Sequence, residues 1–253
     1  MKTLTFIGNG NMALSIAKGL VGKVNIEVVG RDIQKLKKFK QTLGEEVNYF
    51  ILDEFDITDK TIILCVKPNN VEEVAKKLQG KAKTLYSVLA GTTLKKLQEN
   101  FNAKSYVRAM PNLAASVGAS MTTLTGDATC KEEALDIFST IGFTLWLGSE
   151  KEIDIATALA GSGPAYLALI AEALTDGAVK QGLKRDDAMQ IMQGLFKGFG
   201  ELIQTTHPAL LKDGVMSPGG TTAAGYAALE EEGVRNGCIK AIEEAYKKAK
   251  ELS

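Results

Sequence analysis

A glycine-rich turn between an apolar run and a helical pattern constrains the fold of this chain more than any other stretch. Residues Thr3 to Ile7 lead into Gly8-Asn9-Gly10-Asn11-Met12-Ala13, after which small and apolar residues recur at helical spacing. The first two glycines of such a turn permit the bend and admit a pyrophosphate, and the alanine lets the helix approach the strand. A second apolar run, residues 25–29, completes the pattern. This order predicts a dinucleotide-binding β-α-β unit.

The residues that follow the second run indicate which dinucleotide would bind. An acidic residue in this place is typical of proteins that bind the ribose 2′-hydroxyl of NAD, but this chain has Gly30 followed by Arg31. A guanidinium can bind a 2′-phosphate through several charge-assisted hydrogen bonds, which favours NADP(H). Asp32 leaves an alternative open, because its carboxylate could repel the phosphate or accept a ribose hydroxyl.

Later runs predict further strands of one sheet. Residues 61–66 are continuously apolar up to Lys67-Pro68, and residues 85–90 precede Gly91. Because the carboxyl ends of parallel strands line the ligand crevice, the turn Val66-Lys67-Pro68 is expected to contact the cofactor. The runs at 106–110, 119–124 and 143–147 predict further strands of a sheet expected to have about eight, with helices at 71–78 and 131–141 between strands.

The second half of the chain is helical in pattern. The turn and charges around residues 148–152 mark the expected boundary between a domain of residues 1–150 and one of residues 151–253. Gly161-Ser162-Gly163-Pro164 should break a long helix, forming either a backbone-lined wall beside a substrate or a simple helix junction. The helix at 185–203 carries more apolar surface than one thin layer needs, which suggests a twofold dimer.

Composition excludes several classes of function. Thirty basic residues balance thirty acidic ones, so no overall field attracts nucleic acid or an anionic membrane. Cys65, Cys130 and Cys238 lack metal-ligand spacing, so we expect no metal site and three reduced thiols packed as small core residues. The start of the chain reads as a strand rather than a signal peptide, and no stretch of about 18 residues is uninterruptedly apolar. A soluble, cytoplasmic protein is therefore expected.

The stretch Ser217-Pro218-Gly219-Gly220-Thr221-Thr222 has the composition of a tight turn that opens a helix. Free amide groups at the start of that helix would favour an anion such as a carboxylate. An ordinary helix-capping turn is the alternative. His207, the single histidine, stands in a Thr-Thr-His-Pro context typical of a helix terminus rather than of a catalytic base.

Five segments together resemble pyrroline-5-carboxylate reductases. They are the glycine turn with the two residues before it, Val66-Lys67-Pro68, residues 108–112 (Arg-Ala-Met-Pro-Asn), residues 161–166 (Gly-Ser-Gly-Pro-Ala-Tyr), and the stretch around residues 217–222. The resemblance implies an α/β fold, with an N-terminal Rossmann domain followed by an all-helical C-terminal dimerisation domain. It implies reduction of the C=N bond of Δ1-pyrroline-5-carboxylate to L-proline with NADPH, NADH being possible, in a homodimer that can build a ring of dimers.

The same resemblance assigns site residues. Cofactor contacts are expected from Gly8, Asn9, Gly10, Asn11, Met12, Arg31, Cys65, Val66, Lys67, Pro68, Val88, Leu89 and Ala90. Substrate contacts are expected from Ser217, Gly219, Gly220, Thr221 and Thr222, with the Thr222 hydroxyl nearest the ring nitrogen and therefore the catalytic candidate. The chain departs from the family at Leu113-Ala114, where Thr-Pro is common, so a hydroxyl contact there is in doubt.

Two other functions remain as alternatives. A hydroxyacid dehydrogenase has a related layout, but that family places a lysine shortly after a Gly-x-Gly turn in the interdomain helix, where this chain has residues 165–168, Ala-Tyr-Leu-Ala. A non-catalytic, NADP-sensing dimer would use the second domain only to bind partners.

Overall fold

The computed structural model of this protein describes residues 1–251 and forms two compact units. The first unit contains Met1–Gly163 and the end of the chain from Glu244, and the second contains Pro164–Glu243.

The strands of the described residues all belong to the first unit. They are β1 (Thr3–Ile7), β2 (Asn25–Gly30), β3 (Asn48–Ile51), β4 (Phe55–Asp56), β5 (Thr61–Leu64), β6 (Leu78–Gln79), β7 (Ala82–Ser87), β8 (Ala103–Met110), β9 (Ser120–Gly126) and β10 (Gly142–Trp146). Eight of them form one sheet in the order β10-β9-β8-β7-β5-β1-β2-β3, and β4 pairs with β6.

The sheet has the strand order of a doubly wound dinucleotide-binding fold. From β3 through β2, β1, β5 and β7 to β8, all neighbouring strands are parallel. Strands β2 and β3 are added on one side of β1, and the next strand of the sheet in the sequence, β5, is added on its other side, so the strand order reverses between β1 and β5. β9 is antiparallel to β8, and β10 is parallel to β9. Ligands of such sheets bind outside the carboxyl ends of the strands at the point where the order reverses, which here lies after Ile7 and Leu64.

The helices are distributed over both units. They are α1 (Asn11–Leu20), α2 (Ile33–Leu43), α3 (Val71–Ala75), α4 (Leu94–Asn100), α5 (Lys131–Ser139), α6 (Glu150–Ala156), α7 (Gly163–Lys180), α8 (Arg185–Thr205), α9 (Pro208–Val215), α10 (Thr221–Glu231) and α11 (Val234–Glu251).

Alternation along the strands gives the sheet two apolar cores. In β1, Leu4 and Phe6 belong to one buried cluster, which also contains Ile16 of α1 and Phe138 of α5. Ile7 belongs to the second cluster, which contains residues of α3 and α4. Strands buried on both faces read as continuous apolar runs, which is why β1 and β5 could be identified in the sequence.

The expected α/β fold class is confirmed, whereas several expected elements are wrong in extent. β3 was missed because it is a short, largely exposed edge strand with weak alternation. The helix expected over 71–78 is only the five-residue α3, since the chain enters β6 at Leu78. The strand expected over 85–90 begins at Ala82, which pairs with Ala103, and ends at Ser87.

A helix break is present, but it lies slightly earlier than the expected residues 161–164, as a π-helical turn. This turn spans Thr157–Gly161, between α6 and the start of α7 at Gly163. A π-turn shifts the backbone hydrogen-bond pattern by one residue, and such turns are frequent at functional sites. The Asn112 Nδ2 atom donates a 3.0 Å hydrogen bond to the Ala160 carbonyl and so fixes this turn to the end of β8.

The second unit exposes long apolar helices. Within α7 and α8, the buried residues are Thr175 and Ala188 alone, and Leu169, Ile191 and Leu195 are more than half exposed. One helical stretch of the described chain, Glu150–Lys180, is long enough to cross a membrane and contains an 18-residue window of mean hydropathy 1.4, apolar enough to do so.

Candidate active site

The turn after β1 requires glycine for two independent reasons. Gly8 has φ +107°, a conformation that other residues rarely adopt, and a Cβ atom placed there would lie 2.6 Å from the Cys65 carbonyl oxygen. The backbone of β1 and the backbone after β5 therefore approach each other closely. The Gly8 amide donates to the Val29 carbonyl at 2.8 Å, which joins the turn to β2 as well.

The start of α1 offers free amide groups to an anion. Gly10 is the N-cap, no side chain of the described residues accepts a hydrogen bond from the first turn, and the turn contains no acidic residue. A Cβ atom at Gly10 would meet nothing within 4 Å, so the space in front of these amides is open. Free amides and the positive end of the helix dipole favour a phosphate in this position. These features fit the pyrophosphate of a dinucleotide.

A cleft of about 470 Å³ lies at this edge of the sheet. It brings together seven of the expected cofactor residues: Gly8, Asn9, Gly10, Arg31, Cys65, Val66 and Lys67. Five lining residues were not expected: Val29, Gly30, Lys35, Leu52 and Asn70. Among the twelve described residues that line the cleft, three are cationic and none is acidic. The cleft therefore suits a polyanionic ligand.

The other expected cofactor residues lie outside the lining. Asn11 and Met12 form the first turn of α1, and Pro68 begins a 3₁₀ turn that ends at Asn70. Val88, Leu89 and Ala90 follow the last residue of β7, and Leu89 is buried. Their contact with a cofactor stays a prediction.

Asp32 has a structural role that bears on the choice of cofactor. Its side chain caps α2, accepting hydrogen bonds from the Gln34 and Lys35 amides at 2.9 and 3.2 Å. A Cβ atom at Gly30 would lie 3.0 Å from the Asn9 Oδ1 atom, so a larger residue at the end of β2 would crowd the glycine turn. An acidic residue at position 30 would therefore require the neighbouring side chains to shift by a few tenths of an ångström.

Two cationic side chains lie where a 2′-phosphate would be expected. Arg31 follows β2, and Lys35 comes one helical turn later in α2; both line the cleft. Sequence reasoning missed Lys35, although a lysine four residues after an arginine at a helix start is a readable signal. The Arg31 Nη1 atom also contacts the Glu73 carboxylate, at 3.0 and 3.1 Å.

The three cysteines differ in their surroundings. Burial raises the pKa of the Cys65 thiol, so this lining residue is a neutral thiol. Cys130 is buried in the core, as expected. The expectation that all three are core residues is wrong for Cys238, which is exposed, because it lies on the part of α11 that belongs to the second unit, where the helix has no buried residue. No group of acidic, histidine or cysteine side chains suited to a metal ion occurs in residues 1–251.

The stretch from Ser217 to Thr222 folds as a tight turn followed by a helix. The Gly220 amide donates to the Ser217 carbonyl at 3.0 Å, Gly219 has φ +72°, and Gly220 is the N-cap of α10. Thr221 and Thr222 are exposed in the first turn of this 11-residue helix. Within the described chain no side chain caps this end, so its amides and two hydroxyls are available to a ligand.

His207 has a structural explanation. It is the N-cap of α9, where its Nδ1 atom accepts a 3.2 Å hydrogen bond from the Ala209 amide. The residue is exposed and bonded to its own helix. This agrees with the helix-terminus interpretation of its sequence context.

A buried ion network, not anticipated from the sequence, joins β8 to α6. The fully buried Arg108 contacts the Glu150 carboxylate through Nη1 at 3.0 Å and the Asp154 carboxylate through Nη2 at 2.6 Å. Glu150 also accepts a 2.8 Å hydrogen bond from the Leu94 amide at the start of α4. The network therefore ties the loop after β7, the strand β8 and the helix α6 together.

The sheet order, the glycine turn and the cationic cleft define a dinucleotide-binding Rossmann protein. A family model described as pyrroline-5-carboxylate reductase dimerisation matches residues 150–252, and one described as NADP oxidoreductase, coenzyme F420-dependent, matches residues 3–91. A pyrroline-5-carboxylate reductase of Glycine max is 39% identical, covering 99% of this chain and 96% of its own length. The chain belongs to the pyrroline-5-carboxylate reductase family.

Solved structures agree with this assignment. The 1-pyrroline-5-carboxylate reductase of Streptococcus pyogenes has a TM-score of 0.87 and 33% identity to this chain, with 98% of each chain covered. The pyrroline carboxylate reductase of Plasmodium falciparum, solved with NADP bound, has a TM-score of 0.84 and 28% identity, with 99% of each chain covered. The similarity therefore includes both the sheet and the helical region.

Proposed function

We propose that this protein reduces Δ1-pyrroline-5-carboxylate to L-proline, the last step of proline biosynthesis, with NADPH as the preferred hydride donor and NADH as a possible one. The observation that carries the proposal is full-length membership of the reductase family. The cationic cleft beside the glycine turn supports the cofactor, since Arg31, Lys35 and Lys67 line it. Residues 1–150 would bind the cofactor, and residues 151–253 would bind the substrate and form the dimer.

Reduction of a C=N bond requires a hydride on carbon and a proton on nitrogen. Bound NADPH would supply the hydride to the ring carbon. The protein's own contribution is to position the ring and stabilise its charges, so a strong side-chain base is not required. Within the Ser217–Thr222 stretch, the free amides of α10 and the Ser217 hydroxyl are suited to the substrate carboxylate.

The Thr222 hydroxyl is our candidate for the contact to the ring nitrogen. It stands one residue into α10, beside the free amides that would bind the carboxylate. A hydroxyl can donate to the nitrogen lone pair and stabilise the change of charge during reduction. Because Gly219 and Gly220 form the turn immediately before it, the backbone can approach a small ligand closely.

Replacing Thr222 tests this assignment. Thr222→Val keeps the shape and removes the hydroxyl, and we expect kcat to fall by about 100-fold. Thr222→Ser keeps the hydroxyl and is expected to retain most of the activity. NADPH oxidation with pyrroline-5-carboxylate would be followed for each variant. Near-normal turnover by Thr222→Val would remove Thr222 from the mechanism.

The same assay distinguishes the alternative functions. Wild-type protein would be tested with pyrroline-5-carboxylate and NADPH, with NADH in its place, and with a hydroxyacid and the oxidised cofactors. Activity only with the hydroxyacid would support the dehydrogenase alternative. NADP binding without turnover of either substrate would support a non-catalytic sensor. Proline formation would exclude both as the main function.

The homodimer follows from the uncovered helices of the second unit. The region matched by the family's dimerisation model contains α7 and α8, whose apolar residues are largely exposed in one chain. Burying such surface against a second copy is strongly favourable, and the twofold dimer is the commonest solution. We propose that this interface, rather than a membrane, covers the apolar stretch from Glu150 to Lys180, and that dimers can assemble into a ring. A cytoplasmic protein without nucleic-acid partners is consistent with its zero net charge.

A further inference from the structure

Arg31 is shared between the cofactor cleft and a carboxylate outside it. Arg31 lines the cleft, and its Nη1 atom lies 3.0 Å from one Glu73 carboxylate oxygen and 3.1 Å from the other. Glu73 belongs to α3 and is not among the lining residues. Both side chains are about half exposed, at 51% and 52%. An ion pair with this exposure is weak and can be exchanged for another partner.

A 2′-phosphate would compete with Glu73 for this guanidinium. Both are anions that bind a guanidinium through two oxygens, and together on one arginine they would repel each other. A nucleotide with a free 2′-hydroxyl brings no second anion and leaves the ion pair intact. The cost of displacing Glu73 is therefore specific to the phosphorylated cofactor.

Lys35 provides the part of the site with the weaker competitor. Its ion pair is with Asp32, at 4.0 Å from Nζ to Oδ2, and the other oxygen of that carboxylate accepts two hydrogen bonds from α2 amides. A 2′-phosphate would thus meet one cation in a loose ion pair and one held at 3.0 Å by Glu73. This arrangement allows binding of NADPH while limiting its advantage over NADH.

We propose that Glu73 sets the preference of the cleft between nucleotides with and without a 2′-phosphate, by holding the Arg31 guanidinium as a competing anion. Glu73 acts through Arg31 and is a positioning residue for cofactor specificity. The proposal rests on the proposed cofactor site and is independent of the pyrroline substrate.

Nucleotide binding tests the proposal without turnover. Affinities of NADP⁺ and NAD⁺ for the full-length protein would be measured by calorimetry at low salt. We expect Glu73→Gln to bind NADP⁺ roughly two- to fivefold more tightly, the scale of one exposed ion pair, with NAD⁺ affinity unchanged. The gain should shrink at high salt, because exposed charges are screened.

Glu72→Gln is the matched control. Glu72 stands beside Glu73 in the first turn of α3, is exposed, and its loss changes the net charge equally. We expect this variant to leave the ratio of the two affinities as in the wild type. In an Arg31→Ala background, Glu73→Gln should give no further gain, since the competition acts on Arg31.

The outcomes separate this proposal from the proposed function. An unchanged or lower NADP⁺ preference in Glu73→Gln, or the same gain in Glu72→Gln, would overturn the role of Glu73 while leaving the reductase intact. Failure of the wild-type protein to bind either nucleotide would overturn the cofactor site itself, and the role of Glu73 with it.

Discussion

At the scale of single residues, close backbone approach explains the glycine turn better than flexibility does. Gly8 combines a positive φ with a neighbouring carbonyl at 2.6 Å from the Cβ position. Gly22 also has a positive φ, +76°, but open space around its Cβ position. Substitution at Gly22 therefore costs only the strained backbone conformation, whereas substitution at Gly8 adds a steric clash between the new Cβ atom and the backbone.

We predict that Gly8→Ala destabilises the protein more than Gly22→Ala does. The left-handed conformation alone costs about 1–2 kcal/mol for a non-glycine residue, and only Gly8→Ala must also move the backbone at Cys65. Urea denaturation of both variants measures the difference, and calorimetry should show lost NADP⁺ binding for Gly8→Ala alone. Equal destabilisation at the two positions would contradict the close-approach explanation.

Single site residues could be predicted from the sequence where their role depends only on their near neighbours in the chain. The glycine turn, Arg31 and the turn before Thr221 could be identified because each depends on backbone freedom or charge within a few neighbours. Lys35 was missed as a residue that lines the cleft, and Glu73 was missed as the partner of Arg31. Their relevance depends on where α2 and α3 place them, and the Arg31–Glu73 pair joins residues 42 positions apart.

At the scale of elements, the buried Arg108 network holds α6 to the sheet. Arg108 is enclosed completely, and its partners Glu150 and Asp154 both lie on α6. Removing one partner from a buried ion pair leaves a charge with no compensation, which is costly. The segment that follows α6 is the π-turn, so the network also limits how that turn can move.

We predict that Arg108→Met lowers the free energy of unfolding by about 3–5 kcal/mol, because it leaves two carboxylates without their cation. Lys104→Met is the matched control: it removes a cation from the same strand, but its ion pair with Asp59 is exposed and should contribute less than about 1 kcal/mol. Urea denaturation measures both.

A second substitution distinguishes whether Arg108→Met destabilises the protein through uncompensated charge or through lost packing. Arg108→Met combined with Asp154→Leu removes one of the uncompensated carboxylates and should recover part of the lost stability. If the double variant is no more stable than Arg108→Met, loss of packing rather than uncompensated charge explains the effect.

Element boundaries were less predictable than element types. β5 and α1 follow from apolar runs and helical periodicity, whereas β3 and the β4–β6 pair are too short and exposed to give a clear period. The end of β7 at Ser87 depends on pairing with β5 and β8, since Leu64 and Arg108 both pair with that residue. Pairing of this kind is set by neighbouring strands rather than by local propensity.

At the scale of the whole molecule, the apolar face of α8 requires a partner. Ile191, Leu195, Phe199 and Leu202 follow one another at helical spacing and are each 47–60% exposed. A contiguous apolar stripe of this length is typical of a protein interface. Its place within the matched dimerisation region makes a second copy of the chain the expected partner.

We predict that Leu195→Asp weakens or abolishes the dimer, because a carboxylate buried at the interface would lose its hydration without a partner. Gln190→Asp adds the same charge to the same helix outside the stripe and should remain dimeric. Sedimentation velocity of the wild type and both variants measures the oligomeric state. Dimerisation of Leu195→Asp at wild-type affinity would refute the assignment of this stripe to the interface.

The sequence by itself determined the class of fold, the dinucleotide turn, the cationic residue after the second strand and the turn before Thr222, since each follows from local backbone freedom, periodicity or charge. The tertiary structure alone decided that Asp32 caps α2, that Lys35 joins Arg31 at the cleft, and that Arg108 is buried between two carboxylates. These contacts depend on how strands and helices pack, and packing joins residues that local patterns treat as unrelated. The presence of a dinucleotide cleft could thus be predicted from the sequence, whereas the ion pair between Arg31 and Glu73, which we propose affects its nucleotide preference, could not.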